Sequence, residues 1–211
     1  MAAPIDQSET GQANGALALI GEPPITSLDD ATRAAARYAK RYFAEERDEL
    51  LREKDWQFAR NFATPGAVAS PNSAWSWRYT MPADCIAVVR IGDYEKYTDE
   101  PDWEEVSSGE DGDVATFVDT NEAGAQIYYT RRIVNPAQWD LDFAALFKTR
   151  LAIKLNPLIG RDKSLTATLM QMASKREDDS SKRDSQQRRG DTITRSTTWV
   201  TARWGFYNGQ R

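Results

Sequence analysis

Between Ser27 and Phe62 the chain reads SLDDATRAAARYAKRYFAEERDELLREKDWQFARNF, with apolar residues returning at steps of three and four. Ala31, Ala34, Ala35, Tyr38, Tyr42 and Leu50 fall on one helical face; Arg33, Lys40, Arg41, Glu45, Asp48, Glu49 and Arg52 fill most of the rest. Ser27 or Asp29 offers the short side-chain oxygen that caps a first turn. Asp48 and Arg52 have the order and spacing of a supporting helix pair. A helix from Asp29 to Arg52 would be about 36 Å long at roughly 1.5 Å per residue, a strut for other elements to pack on.

Ahead of it, residues 8–20 predict a short helix with Ala13, Ala16, Leu17 and Ile20 on one side. Gly21 stops that helix, and Pro23-Pro24 force an extended link. After Phe62, Thr64–Ser73 reads as a loop. Trp75–Thr80 alternates Trp75, Trp77 and Tyr79 against Ser76, Arg78 and Thr80, a half-buried strand. Cys85–Ile91, Val114–Val118 and Gln126–Arg131 follow as strands of one small antiparallel sheet, with Tyr94–Gly112 an acidic, turn-rich loop between them. Asn135-Pro136 ends the sheet, and Asp140 or Asp142 caps a helix presenting Phe143, Ala144, Phe147, Leu151 and Leu155. Ser164 caps another, with Leu165, Leu169, Met172 and Arg176 inward; the short connection predicts an antiparallel pair lying against the strut. From Lys175 the apolar period fades. The expected architecture is α+β, mainly α: an antiparallel helical bundle from 1–62 and 136–185, an inserted small antiparallel β-sheet at 74–133, and an extended C-terminal tail at 186–211.

Composition narrows the chemistry. The chain has no histidine and a single cysteine, Cys85, which removes His-dependent triads, an intramolecular disulfide and any multi-cysteine zinc site. Cys85 sits in an apolar run, where a buried filler is expected. A net charge of −5 argues against a general DNA-binding surface. No Gly-Lys dipeptide occurs, so there is no Walker-type phosphate loop. No apolar run approaches the length needed to cross a bilayer, and the first residues lack the pattern of a signal peptide. The acidic residues between Asp99 and Asp113 lack EF-hand spacing and read as a solvated loop.

The segments ALALIGEPPITSLDDATRAAARYAKRYFAEERDELLREKDWQFA (16–59), WRYTMPADCIAVVRI (77–91), YYTRRIVNPAQWDLDFAALFKTRLAIKL (128–155) and PLIGRDKS (157–164) carry a resemblance by order and spacing. Together they resemble tail tubular protein A, the head-to-tail adaptor family of short-tailed, podovirus-type phages. The resemblance implies a structural, non-enzymatic role without cofactors. It implies a dodecameric homo-oligomeric ring stacked on the portal protein, with the tail nozzle, tail tubular protein B, below and possible tail-fibre contacts. DNA passes through the lumen without sequence-specific binding, and the protein resides in the host cytoplasm during assembly and then in the virion tail.

Within that frame the tail is the expected portal-binding element. Its Arg188, Arg189, Arg195, Trp199, Arg203, Trp204, Phe206 and Tyr207 are residue types that dominate interface energies. The acidic loop, through Asp99, Asp102, Trp103, Glu104 and Glu105, is the candidate nozzle side. The alternative is a tail-associated peptidoglycan hydrolase, or another tail-accessory factor, using carboxylates of loop 99–113.

Overall fold

The computed structural model describes residues 6–69, 74–92, 102–108, 115–160 and 162–188, and the statements below concern those residues. Four α-helices form: α1 Glu9–Leu19, α2 Ala34–Glu53, α3 Leu141–Leu155 and α4 Lys163–Arg188. Seven strands form: β1 Arg60–Ala63, β2 Ala67–Val68, β3 Trp77–Thr80, β4 Cys85–Ile91, β5 Trp103–Ser108, β6 Ala115–Thr120 and β7 Ile127–Arg131. They make two antiparallel sheets, of order β1-β7-β4 and β2-β3-β6-β5. The fold is therefore α+β with two sheets, and the predicted helical bundle with one inserted sheet is corrected. Two strands come from 60–68, where the sequence predicts the aromatic-rich end of the bundle segment 1–62 and the start of a loop.

The split between sheets has a local cause. β6 and β7 follow one another closely, yet they pair in different sheets. The buried Tyr79 of β3 donates from its hydroxyl to Glu122 O at 2.9 Å and accepts from Gly124 N at 2.8 Å and Ala125 N at 3.3 Å. Gly124 takes a φ of 66°, which a side chain would disfavour. This anchored turn hands the chain from one sheet to the other. Tyr79 and Val118 from one sheet meet Ile91, Ile127 and Tyr129 from the other in a shared core.

The second and larger core is helical. α1 starts as predicted, with Ser8 Oγ accepting from Gly11 N at 3.0 Å, and buries Ala13, Ala16 and Leu17. Gly21 follows at φ 74°. α2 differs. Ser27 Oγ accepts from Asp29 N, and Asp30 accepts from Thr32 N, so both side chains are used in local turns. Such turns compete with helix, which begins only at Ala34. Its 20 residues make it about 30 Å long. Its inner face is Ala35, Ala36, Ala39, Phe43, Glu46, Arg47, Leu50 and Leu51; Tyr38 and Tyr42 only flank it. Asp48 pairs with Arg47 and Arg132, and no ion pair joins it to Arg52.

The organising element is α3, since α1, α2 and α4 all pack on it. Asp140 caps it by accepting from Asp142 N at 2.8 Å. Phe143, Phe147, Leu146, Leu151 and Leu155 are buried. α4 is capped by Asp162, which accepts from Ser164 N and Leu165 N, in place of the expected Ser164. α4 runs on through the polar stretch beyond Lys175, so the expected 185/186 boundary falls inside its final turns. Polar bridges hold that part: Arg176 donates to Ala145 O and to Thr149 Oγ1, Glu177 pairs with Arg150, and Arg183 pairs with Asp142.

Arg150 and Lys154 tie α3 to α2 around a fully buried Glu46. Arg150 Nε lies 3.1 Å from Glu46 Oε1, and Lys154 Nζ lies 3.0 Å from Oε2. That oxygen accepts no hydrogen bond of good geometry, so the Lys154 contact acts as a charge pair. Burial opposes both cations, but the glutamates around them outweigh it: Lys154 and Arg150 are both raised, with Glu49, Glu46 and Glu45 facing the first and Glu53 and Glu46 the second. Arg150→Met is expected to cost about 2 kcal/mol, below the loss for a wholly unpaired buried charge because Lys154 remains beside Glu46. Urea unfolding of the variant checks this, and an unchanged midpoint would mean that Glu46 is solvated.

Candidate functional site

Most of the residues expected to meet portal, Arg189, Arg195, Trp199, Arg203, Trp204, Phe206 and Tyr207, lie outside the described residues. Arg188 is the last residue of α4. Of the nozzle-side set, Asp99 lies outside the described residues too. Asp102 is exposed, and its carbonyl accepts from Thr120 Oγ1 at 2.9 Å. Trp103, Glu104 and Glu105 are on β5, an edge strand of the four-stranded sheet. The described part of the acidic loop is thus a strand.

Its register decides what the carboxylates can do. Glu104 is opposite Asp119, and Glu105 is opposite Val118. Successive strand side chains point to opposite faces, so Glu104 and Glu105 do not converge on one substrate position. Glu104 accepts from Trp75 Nε1 at 3.1 Å. It shares its face with Arg78 and Asp119, whose two hydrogen bonds are both 2.6 Å long. Arg78 also lies over the Phe117 ring, 5.3 Å from its centroid. This bidentate pair was not foreseen: alternation put Trp77 inside and Arg78 outside, whereas Trp77 is exposed and Arg78 buried. The partner that reverses the pattern is 41 positions away.

The outer face of β1-β7-β4 was also missed. Phe62 is 59% exposed and its ring centroid is 5.9 Å from that of Tyr128. Arg90 lies over the Tyr128 ring at 5.7 Å, and the register places Phe62, Tyr128 and Arg90 in one row across the three strands. Arg60, on the same face, makes a bidentate pair with Asp55 at 2.7 and 2.5 Å. An aromatic row that is exposed at Phe62, half-buried at Tyr128 and edged by the half-buried Arg90 and Arg60 has the chemistry of protein interfaces. The alternation of Arg60 and Phe62 carries part of the signal, but their partners Thr130 and Tyr128 show no matching alternation of basic and aromatic residues.

Cys85 is half-buried, and burial, with Glu105 and Asp84 nearby, pushes its thiol up to about 12 from 9.0. A raised acid is protonated in the fold, so its contribution is intact below pH 9 and is lost as pH rises from 9 toward 12. The midpoint of unfolding is expected to fall across that range more in wild type than in Cys85→Ser. An equal fall in both would place the titration elsewhere. Among the described residues no group of three or more His, Cys, Asp or Glu side chains is arranged to hold a metal ion, and no helix is long and apolar enough to cross a membrane.

Fold and surface together define an α+β protein with a two-sheet module, a helical module built on α3, and an aromatic–arginine face exposed at Phe62. No protein-family model matches the chain, and a search of curated proteins finds no match.

Proposed function

We propose that this chain is a structural subunit of the head-to-tail adaptor of a short-tailed phage, a ring of copies, twelve by resemblance, between portal and tail nozzle. One observation carries the reading. Three stretches that resemble the adaptor family, separated in sequence, contribute to the helical core, while a fourth, 77–91, enters the core between the sheets through Tyr79, Met81 and Ile91. Residues 16–25 bring Leu17, Ile20 and Ile25, residues 47–59 bring Leu50, Leu51, Trp56 and Ala59, and residues 128–155 bring Trp139, Phe143, Phe147, Leu151 and Leu155. A shared fold requires its similar segments to meet inside; chance similarity carries no such requirement.

The Phe62–Tyr128–Arg90 row suits a contact between neighbouring copies, because heterologous contacts that close by rotation make rings. The C-terminal segment, with its aromatic and arginine residues, is the proposed portal contact. Neighbouring copies in a ring raise the effective concentration of each weak contact.

The test is reconstitution with the cognate portal ring, followed by electron microscopy. A twelve-fold layer on portal is expected from the full chain and not from a chain ending at Gly190. Failure of the full chain to bind portal overturns the reading. Clearing of peptidoglycan in a zymogram, lost on substituting Glu104 and Glu105, would replace it with the hydrolase.

A further inference from the structure

Where the chain leaves α2 and α4 passes over it, a cleft of about 330 Å³ is lined by the buried Trp56, the half-buried Phe58, Asp140, Asp142 and, from α4, Ser180 and Arg183. Arg183 occupies Asp142. Asp140 is exposed and makes no ion pair among the described residues. The cleft thus combines the half-buried Phe58 with the exposed carboxylate of Asp140, which caps α3 and makes no ion pair of its own among the described residues.

α4 ends at Arg188, five residues past Arg183, or roughly 7 Å further along the helix. Beyond it come 23 residues with Arg189, Arg195, Arg203 and Arg211 against Asp191 alone, a net charge of +3. The whole chain carries −5, so the first 188 residues carry −8. Charge divides sharply between an acidic body and a basic C-terminal segment. That segment also holds Trp199, Trp204, Phe206 and Tyr207. From Arg188 to Trp199 is 11 residues, which extended can span about 36 Å, several times the distance back to the cleft.

We propose that residues 189–211 dock into this cleft of their own chain, an indole of Trp199 or Trp204 packing on Phe58 and an arginine meeting Asp140. The volume has room for one indole. Charge complementarity favours the encounter, and the short tether supplies a high effective concentration. The docked state covers the segment's aromatic residues until another surface binds them more tightly. The inference rests on the cleft, the charge division and the exit point of α4, and it stands whether or not the chain is an adaptor.

Amide hydrogen exchange on the full-length protein tests it. The first amides of α3 have no intrahelical acceptor, so their exchange reports on what covers them. With Trp199→Ala and Trp204→Ala together, exchange at 140–143 and 56–58 is expected to rise about tenfold, which is 1.4 kcal/mol of docking. Asp140→Asn keeps the helix cap, since Asn caps as well as Asp, and removes the charge. It is expected to speed exchange in 191–207 by a few-fold. Wild-type rates in the double tryptophan variant, or no change in 191–207 with Asp140→Asn, would overturn the proposal. Protection that grows with protein concentration would also overturn it, by placing the segment in a neighbouring copy's cleft.

Discussion

Phe143→Ala is expected to remove about 4 kcal/mol of stability and to lower the thermal midpoint by about 10 °C. Phe143 is fully buried on α3. Its ring lies 5.1 Å from Trp56 at 89°, 5.1 Å from Phe58 at 65° and 5.1 Å from Trp139 at 75°. All three are edge-to-face arrangements, which add to the gain from burial. The neighbours are not free to close the gap. Trp56 Nε1 donates to Leu50 O at 2.8 Å, and Trp139 Nε1 donates to Ile133 O at 3.0 Å. Collapse onto alanine would break one of these bonds, so a cavity remains. Phe143→Leu keeps most of the volume and is expected to cost about 1–2 kcal/mol. Urea unfolding followed by tryptophan fluorescence reads both. If alanine costs no more than leucine, the cluster relaxes freely and leaves no cavity.

The same cluster shows what was legible in the sequence. Phe143, Phe147, Leu151 and Leu155 recur with helical spacing, and Asp140 stands where a cap belongs, so α3 could be read directly. α1 could be read for the same reason, from Ser8 to Gly21. Local pattern and local cap agreed in both. At α2 they conflict: Ser27 and Asp29 are the expected caps, yet Ser27 closes a turn on Asp29 N, Asp29 pairs with Lys40, and the helix begins at Ala34 with its face rotated away from the tyrosines. Glu46 was unreadable as an interior residue because the cations that neutralise it, Arg150 and Lys154, are supplied by another helix more than 100 residues on. Strand identity was largely legible at β4 and β7. Sheet membership was not, because it depends on the Tyr79 hydroxyl holding the turn before β7. The candidate contact face suffered likewise: Phe62 and Tyr128 become neighbours only through strand pairing.

Arg78→Ala is expected to cost about 3–5 kcal/mol, in the range for a buried pair broken on one side. Asp119 has no exposed surface, and both of its oxygens are occupied by the guanidinium at 2.6 Å. Alanine leaves that carboxylate buried without its fork and removes the cation from above Phe117. Charge alone does not replace it. Arg78→Lys restores a cation but supplies one contact where two were made, and it is expected to recover only part of the loss, leaving about 1–2 kcal/mol. Replacing both partners separates the pair from its surroundings. Arg78→Leu with Asp119→Leu removes both desolvated charges and keeps apolar bulk between β3 and β6, so it is expected to fall within about 1 kcal/mol of wild type. Urea unfolding of the three variants, with a common slope, distinguishes the cases. The pair belongs to the interior if alanine is the worst of the three and the double leucine variant the best. An alanine loss below about 1 kcal/mol, as for exposed ion pairs, would mean that water reaches Asp119 and that this sheet face is open.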